Sequence, residues 1–316
     1  MLTYTVKRIG LAIMVLLIVM SAMYAMVFLV PGDPASLALG PRATPELKAE
    51  LTARMGLDQP LTTQILNFFS NALRGDLGYD VWSKRPVLDQ ILEVLPNTLF
   101  LGILSLGWAI VLGIVLGCLA VVWRGTAIDT LLGVLSVSMI AVPPFVIALY
   151  SLLIFAVWLN WLPAIGAGKP GDWSSQLAAA LLPAFAIGIT WVGYLARLVR
   201  ASMLEVMGAN YIRTARAFGL SEPRIVLRCA LRVAIIPTIA ILAVGFGSIL
   251  SSAVFVETVF SRPGVGSLIT SAVAKRNYPL VMGTVLFMTT FYLFVVTAAD
   301  LLMAWLDPRV RDVFRS

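Results

Sequence analysis

Residues 195–237 read LARLVRASMLEVMGANYIRTARAFGLSEPRIVLRCALRVAIIP, the one long polar interruption in the apolar second half of the chain. Seven arginines (Arg197, Arg200, Arg213, Arg216, Arg224, Arg228 and Arg232) stand against two acids, Glu205 and Glu222. Apolar runs long enough to cross a bilayer flank the stretch. Lys and Arg close to a span are retained on the cytoplasmic side, so the loop is expected there. Its spacing is helical. Tyr211, Ala215 and Phe218 share a face at i, i+4 and i+7, and Arg213 and Arg216 project to the side as an i, i+3 pair. Gly219 suits a C′ position, where a left-handed backbone costs no side-chain clash. Ser221 then stands as the cap of a second helix, with Glu222 in its first turn and Pro223 tolerated there. Small Ala215 and Ala217 let another protein's surface come close, and burying the Phe218 ring in a partner groove would contribute roughly 1.5–3 kcal/mol. The same residues also fit an amphipathic helix resting on lipid headgroups, its arginines on phosphates. The pattern alone leaves both readings open.

The segment Asn210-Tyr-Ile-Arg-Thr-Ala-Arg-Ala-Phe-Gly-Leu-Ser-Glu resembles the EAA loop of binding-protein-dependent ABC importer permeases. Its form is that of the dipeptide, oligopeptide and nickel permease family. Arg213-Thr214-Ala215 stands where the family motif has Glu-Ala-Ala, Gly219 matches the motif's glycine, and Arg232 takes the place of the usual terminal proline. The resemblance implies a coupling helix docked in a groove of an ATPase subunit, with Tyr211, Arg213, Thr214, Ala215, Arg216, Ala217, Phe218 and Gly219 at that contact. It also implies an all-α membrane protein with the type I ABC importer permease fold. The partners that come with it are a second homologous permease, two ATPase subunits that hold the ATP and Mg, and an extracytoplasmic solute-binding protein.

Composition sets the class independently. Hydrophobic residues make up 60% of the 316 and charged residues 12%, and the mean hydropathy is +0.95. A soluble domain is far from this balance. Lys7 and Arg8 precede an uncharged run over residues 9–30, long enough as a helix for the hydrocarbon core. It exceeds a signal-peptide core, and Pro31-Gly-Asp-Pro is a poor cleavage site, so it is expected to stay as the first span. Five more spans are expected at about 97–122, 130–158, 177–196, 234–256 and 281–305. Pro143-Pro144, Pro183 and Pro237 should kink or break their helices. The chain thus divides into a tail and first span (1–30), an extracytoplasmic helical segment (31–95) and a five-span core (96–316) carrying the cytoplasmic loop 197–233.

Six spans put both termini in the cytoplasm, and the resemblance implies that the membrane the chain crosses repeatedly is a bacterial inner membrane. On that topology the inside carries 13 basic residues and the outside 10, six of them in the long first loop, which counts less. The net charge of +7 is therefore explained by orientation in lipid, not by nucleic acid. Within residues 31–95, Thr44-Pro45-Glu46 starts a helix ending near Gly56, a second helix is expected over 60–73 and a third over 86–95. The phrases Pro31-Gly-Asp-Pro-Ala, Gly56-Leu-Asp-Gln-Pro-Leu and Arg74-Gly-Asp-Leu-Gly again look like the peptide-permease family, in which this region lies below the binding protein.

The absences narrow the chemistry. The chain has no histidine, which removes Ser-His triads, zinc-protease helices and His proton relays together. No Gly-rich loop ends in Lys-Ser or Lys-Thr, so no ATP phosphate site, cofactor, metal or catalytic residue is expected in this chain. Cys118 and Cys229 are expected to be buried structural thiols. Asp300 is the single charge expected within a span, near its inner end. A secondary transporter or channel would carry charges deep in its spans and an internal repeat; beyond Asp300, which lies near an inner end, the sequence offers neither.

Two groups of small residues fit either helix packing or a polar pathway. One is Ser248 and Ser252, on one face of the fifth span among Gly245, Gly247 and Ala253; the other is Ser136, Ser138 and Met139 in the third. Finally, Glu257-Thr-Val-Phe-Ser-Arg-Pro-Gly-Val-Gly looks like the peptide-permease signature beyond the fifth span, continued by Asn277-Tyr-Pro-Leu. Arg262, Pro263, Gly264 and Gly266 are expected to form a tight turn there with Glu257, at the outer surface. The expected function is a permease subunit importing di- or oligopeptides, with nickel or another small solute as the alternative.

Overall fold

The computed structural model describes residues 2–29, 44–54 and 59–306. The phrase at Pro31, the Gly56–Asp58 part of the second phrase and the basic tail beyond residue 306 lie outside them. Among the described residues the chain is helical, with a single isolated bridge between Tyr79 and Pro86. It divides into two compact units, one made of residues 1–96 and 267–316, the other of residues 97–266.

In the first unit the helices Leu2–Leu29, Pro45–Arg54 and Leu61–Leu73 follow the expected order. The loop after them is held by Asp80. Its Oδ1 accepts from the Trp82 N–H at 2.7 Å, the Ser83 N–H at 3.0 Å and the Asn277 Nδ2 at 2.8 Å. Met20, Leu77, Val87, Ile91, Leu280 and Leu286 pack into one apolar core with Phe68 and Phe69 against it. The helix Tyr278–Leu306 supplies the last of these residues.

Pro96 lies inside a continuous helix, Val87–Val122, instead of separating a helix from a span. The expected third span is not one helix. Val142 takes an extended conformation (φ −91°, ψ 123°), as a residue before proline must, and Pro144 opens a new helix at its first turn. The Ala127–Ala141 helix and the 144–158 helix, which finishes as the π-helical Leu152–Trp158, meet at a 96° bend. Pro183 is accommodated inside the Trp173–Met207 helix, and Pro237 sits in the first turn of Ile236–Val259, where its missing N–H costs nothing. The Trp173–Met207 helix begins at Asp172, whose carboxylate accepts from the Ser174 and Ser175 N–H groups at 3.0 and 3.2 Å. It runs past Tyr194 without a break. Arg197 and Arg200 therefore belong to the apolar helix and not to a loop, and the polar interruption begins at Gly208.

Two apolar cores fill the second unit. One joins Leu101, Ala148, Leu182, Ile187, Ile249, Val256 and Phe260. The other joins Cys118, Val121, Val199, Met203, Ile212, Ile225 and Val226. Among the described residues three helices are long and apolar enough to cross a membrane, Val87–Val122, Trp173–Met207 and 278–299, or four if the bent pair is one span. The Leu2–Leu29 and Ile236–Val259 helices carry shorter apolar stretches, Ile9–Met23 and Gly245–Val259. Large apolar side chains such as Ile103, Val111, Val137, Leu149, Phe255 and Phe294 are exposed, a surface suited to lipid and not to water.

Candidate functional sites

The basic stretch folds as a helix, Asn210–Ala217, a sharp turn, and a run of helical turns from Glu222 through Ala234. Ile212 is fully buried and anchors the short helix in the apolar core, with Ala215 and Leu220 packed beside it. The Gly219 backbone is left-handed at φ +78°. Its N–H donates to the Arg216 carbonyl at 2.9 Å, and the Leu220 N–H donates to the Ala215 carbonyl at 3.2 Å. These two bonds are the Schellman closure, with apolar Ala215 and Leu220 in the positions that accompany it. Across the turn Arg216 grips Glu222 with two hydrogen bonds, Nε to Oε1 at 2.6 Å and Nη2 to Oε2 at 3.2 Å. The hydrogen bond from Arg216 holds the Glu222 carboxyl below its ordinary range.

That frame presents a surface. Phe218 is 81% exposed and Tyr211 45% exposed, and Arg213, Thr214 and Ala217 are exposed with them. Ala215 differs from expectation, since it turns toward its own chain. The inward face is set by Ile212 and Ala215 at i, i+3, and Tyr211 and Phe218 at i, i+7 carry the outward one. Ile212 is the residue whose role the sequence reading missed, and its apolar character in a polar stretch was the available signal. Elsewhere Asp129 accepts two hydrogen bonds from Arg200, both at 2.8 Å, and one from the Gly125 N–H at 3.1 Å. The pair ties the start of the Ala127–Ala141 helix to the Trp173–Met207 helix.

The second cluster lies after the Ile236–Val259 helix. Glu257 and Arg262 are fully buried, and Pro263 is exposed on the turn. Glu257 Oε1 accepts from the Thr98 hydroxyl at 2.6 Å, and Oε2 accepts from the Gly266 N–H at 2.8 Å. The Thr98 oxygen in turn accepts from the Val265 N–H at 2.8 Å, and the Arg262 N–H donates to the Glu257 carbonyl at 2.8 Å. A methyl group on Gly264 would overlap the Glu257 carboxyl, and one on Gly266 would come within 2.9 Å of Oε2. Burial pushes the Arg262 guanidinium pKa down, against the opposing pull of the Glu257 charge. The expected turn is therefore a packed cluster around one carboxylate. Thr98, far away in sequence, completes it and was missed because a single threonine in a span carries no signal.

The hydroxyls of Ser136, Ser138 and Ser252 donate to carbonyls one turn back, those of Leu132, Val134 and Ser248. Ser136 is buried and Met139 half-buried, facing Gly193, where an added methyl would lie 3.0 Å from the Met139 Cβ. Ser248 is exposed, and neighbouring Gly245 meets the Trp191 ring, which would stand 2.8 Å from an added methyl.

Comparison with known proteins adds to this geometry. Residues 109–312 match the family described as binding-protein-dependent transport system inner membrane component, and residues 1–102 match the N-terminal component of the same systems. The glutathione transport system permease protein GsiC of Shigella flexneri is 36% identical over 311 residues, covering 98% of this chain and 99% of that protein. GsiC of Escherichia coli strain K12 matches at the same identity and coverage. Among solved structures, an inward-facing form of the MetNI methionine ABC transporter shares the fold with a TM-score of 0.57 at 16% identity. The match covers 69% of this chain and 96% of that one. With both halves of the chain matched and full-length relatives above one-third identity, the chain belongs to the binding-protein-dependent transport system inner membrane components, as a multi-pass permease subunit of a bacterial ABC importer.

Proposed function

We propose that the chain forms half of a translocation pathway for short peptides. A second, homologous permease completes it, two ATPase subunits drive it and a solute-binding protein delivers the cargo. The full-length similarity to glutathione permeases favours a small peptide such as glutathione. A nickel complex or another small solute is the alternative, selected mainly by the binding protein. The chain itself hydrolyses no ATP. It spans the membrane six times with both termini in the cytoplasm, counting the Leu2–Leu29 and Ile236–Val259 helices and the bent pair as spans.

The carrying observation is the exposed face of residues 210–219. Tyr211 and Phe218 project from a helix that Ile212 anchors, Gly219 ends and the Arg216–Glu222 pair braces. A membrane-surface helix would lay its apolar face on lipid while the rest of it stays free of the protein core. Here the helix is pinned to the core on one side and offers an aromatic residue on the other, as a docking knob does. ATP binding closes the ATPase pair, whose groove moves the 210–217 helix. The turn at Gly219 and the helical run 222–234 carry the motion into the 236–259 helix, and the pathway switches its access.

Phe218→Asp should insert and assemble normally and lose cargo-stimulated ATP hydrolysis in the reconstituted complex. Gly219→Pro should do the same, since proline cannot adopt the positive φ and lacks the N–H given to Arg216. Full stimulation in both variants would rule out the coupling role. Recovery of the chain from native membranes with ATPases and a sister permease tests the partner set, and cargo uptake without ATPase would overturn it.

A further inference from the structure

We propose that Glu257 is a positioning residue of the transport cycle, fastening the end of the Ile236–Val259 helix to Thr98 and to the first turn of the Val265–Ala274 helix so that they move as one body. The inference rests on the coupling path proposed above.

The arrangement around the carboxylate is closed on every side. One oxygen accepts from the Thr98 hydroxyl and the other from the Gly266 N–H. The Thr98 oxygen accepts from the Val265 N–H, so carboxylate, hydroxyl and two successive amides form a ring. These amides are the free N–H groups at the start of a ten-residue helix, where negative charge is favoured. An anion is expected at such a place, and here the chain supplies its own. Glu257 has no exposed surface, so its charge is sustained by these donors and not by water. Gly264 and Gly266 lie so close to the carboxylate that it has no room to slide. The neighbouring Arg262 is 1% exposed, and its Nε and Nη1 have no acceptor among the described residues. A guanidinium in that state is costly, and the adjacent carboxylate charge is what makes it tolerable.

A fold that needed only a helix end here would not spend a buried acid, a buried arginine and two glycines on it. Motion that enters the 236–259 helix at its start reaches the next segment only if the far end is attached. Glu257 is that attachment. Loss of the clasp should therefore leave the complex able to hydrolyse ATP while disconnecting hydrolysis from transport, an effect that a merely structural brace does not produce.

The test uses the assembled importer in lipid nanodiscs, with Glu257→Ala, Glu257→Gln, Thr98→Val and, as the conservative variant, Thr98→Ser. Amide hydrogen exchange over residues 262–268 reads the clasp without reference to transport. Exchange there should rise at least tenfold in Glu257→Ala and Thr98→Val and stay at the wild-type level in Thr98→Ser. ATP consumed per cargo molecule imported should rise fivefold or more in the first two and be restored in Thr98→Ser. Glu257→Gln, which keeps the volume and one acceptor, should fall between and covers the case in which alanine prevents assembly. Unchanged exchange in Thr98→Val and Glu257→Gln would show that the clasp does not hold the segment. Faster exchange with an unchanged coupling ratio would reduce Glu257 to a brace. Either result overturns the proposal. Phe218→Asp, measured alongside, separates the two readings. If it retains full stimulation the coupling path falls and the positioning role with it, and if it alone loses stimulation only the role of Glu257 falls.

Discussion

The Arg216 guanidinium and the Glu222 carboxylate meet across the Gly219 turn with ideal fork geometry, yet their side chains are 43% and 55% exposed. Solvent screens such a pair, so it contributes up to about 1 kcal/mol. Its pH behaviour follows from the direction of the shift. Glu222 titrates lower folded than unfolded, where its ordinary value is 4.5. The stabilisation is thus fully present above that value and is lost as the pH falls through the lower, folded one. Glu222→Gln should cost no more than about 1 kcal/mol at neutral pH. In thermal melts of the detergent-solubilised complex, the gap between wild type and variant should stay constant from about pH 6 to 8 and close under acid conditions. A gap that widened toward acid would contradict the assigned pairing. Asp129 and Arg200 form the better-buried counterpart, with side-chain exposures of 11% and 35%. Their bidentate contact links two helices and is the firmer of the two pairs.

At the scale of elements, legibility followed locality. The helix start at Pro45, the Pro45–Arg54 and Leu61–Leu73 helices, the Gly219 turn and the break at Pro143-Pro144 were readable because each is decided by a few adjacent residues. The Asp129–Arg200 pair and the Thr98–Glu257 bond were not, since they join residues 71 and 159 positions apart. Charge also misled in one place. Arg197 and Arg200 looked like a loop, but an arginine at the end of a long helix keeps its stem on the apolar surface and its head in a polar environment. A readable signal went unused in Gly113-Ile-Val-Leu-Gly117, where two glycines four apart admit the Trp173–Met207 helix. A methyl on Gly113 would stand 2.6 Å from the Leu195 Cβ, and one on Gly117 2.8 Å from the Val199 Cβ. Gly113→Leu and Gly117→Leu should each destabilise by at least about 1–3 kcal/mol through overpacking. Gly107→Ala and Gly133→Ala meet nothing within 4 Å and should be neutral or mildly stabilising. Thermal midpoints of the four variants in one detergent check the contrast, and equal midpoints would deny the close packing.

For the whole molecule, the proposed six-span topology with cytoplasmic termini makes a prediction that depends on every span at once. An odd number of crossings, or a bent pair that re-enters on the side it left, would exchange the faces of everything beyond it. The Ala127–Ala141 and 144–158 helices, bent by 96°, are where that alternative arises. Crossing there places Lys169 outside and Phe218 inside, whereas re-entry keeps Lys169 on the side of Arg124 and, with the 173–207 helix crossing, puts Phe218 on the opposite side. The charge pattern favours crossing, because Arg213, Arg216, Arg224, Arg228 and Arg232 then lie in the cytoplasm with Arg124, where cations near spans are retained. Single cysteines at 76, 169 and 218, in a chain with Cys118→Ala and Cys229→Ser, report this directly in intact cells. A membrane-impermeant maleimide should label positions 76 and 169 at once and position 218 only after the membrane is opened. Labelling of 76 and 218 without 169 would require an even count of crossings between 76 and 218, as a re-entrant bent pair between two spanning helices gives, and would turn the exposed Phe218 surface away from the ATPases. Equal protection of 169 and 218, with 76 labelled, would make the bent pair a re-entrant loop. The coupling helix would still face the cytoplasm, but the 173–207 helix would have to lie on one side of the bilayer. That outcome is opposed by its 35 residues, about 52 Å of helix, with an apolar stretch long enough to span.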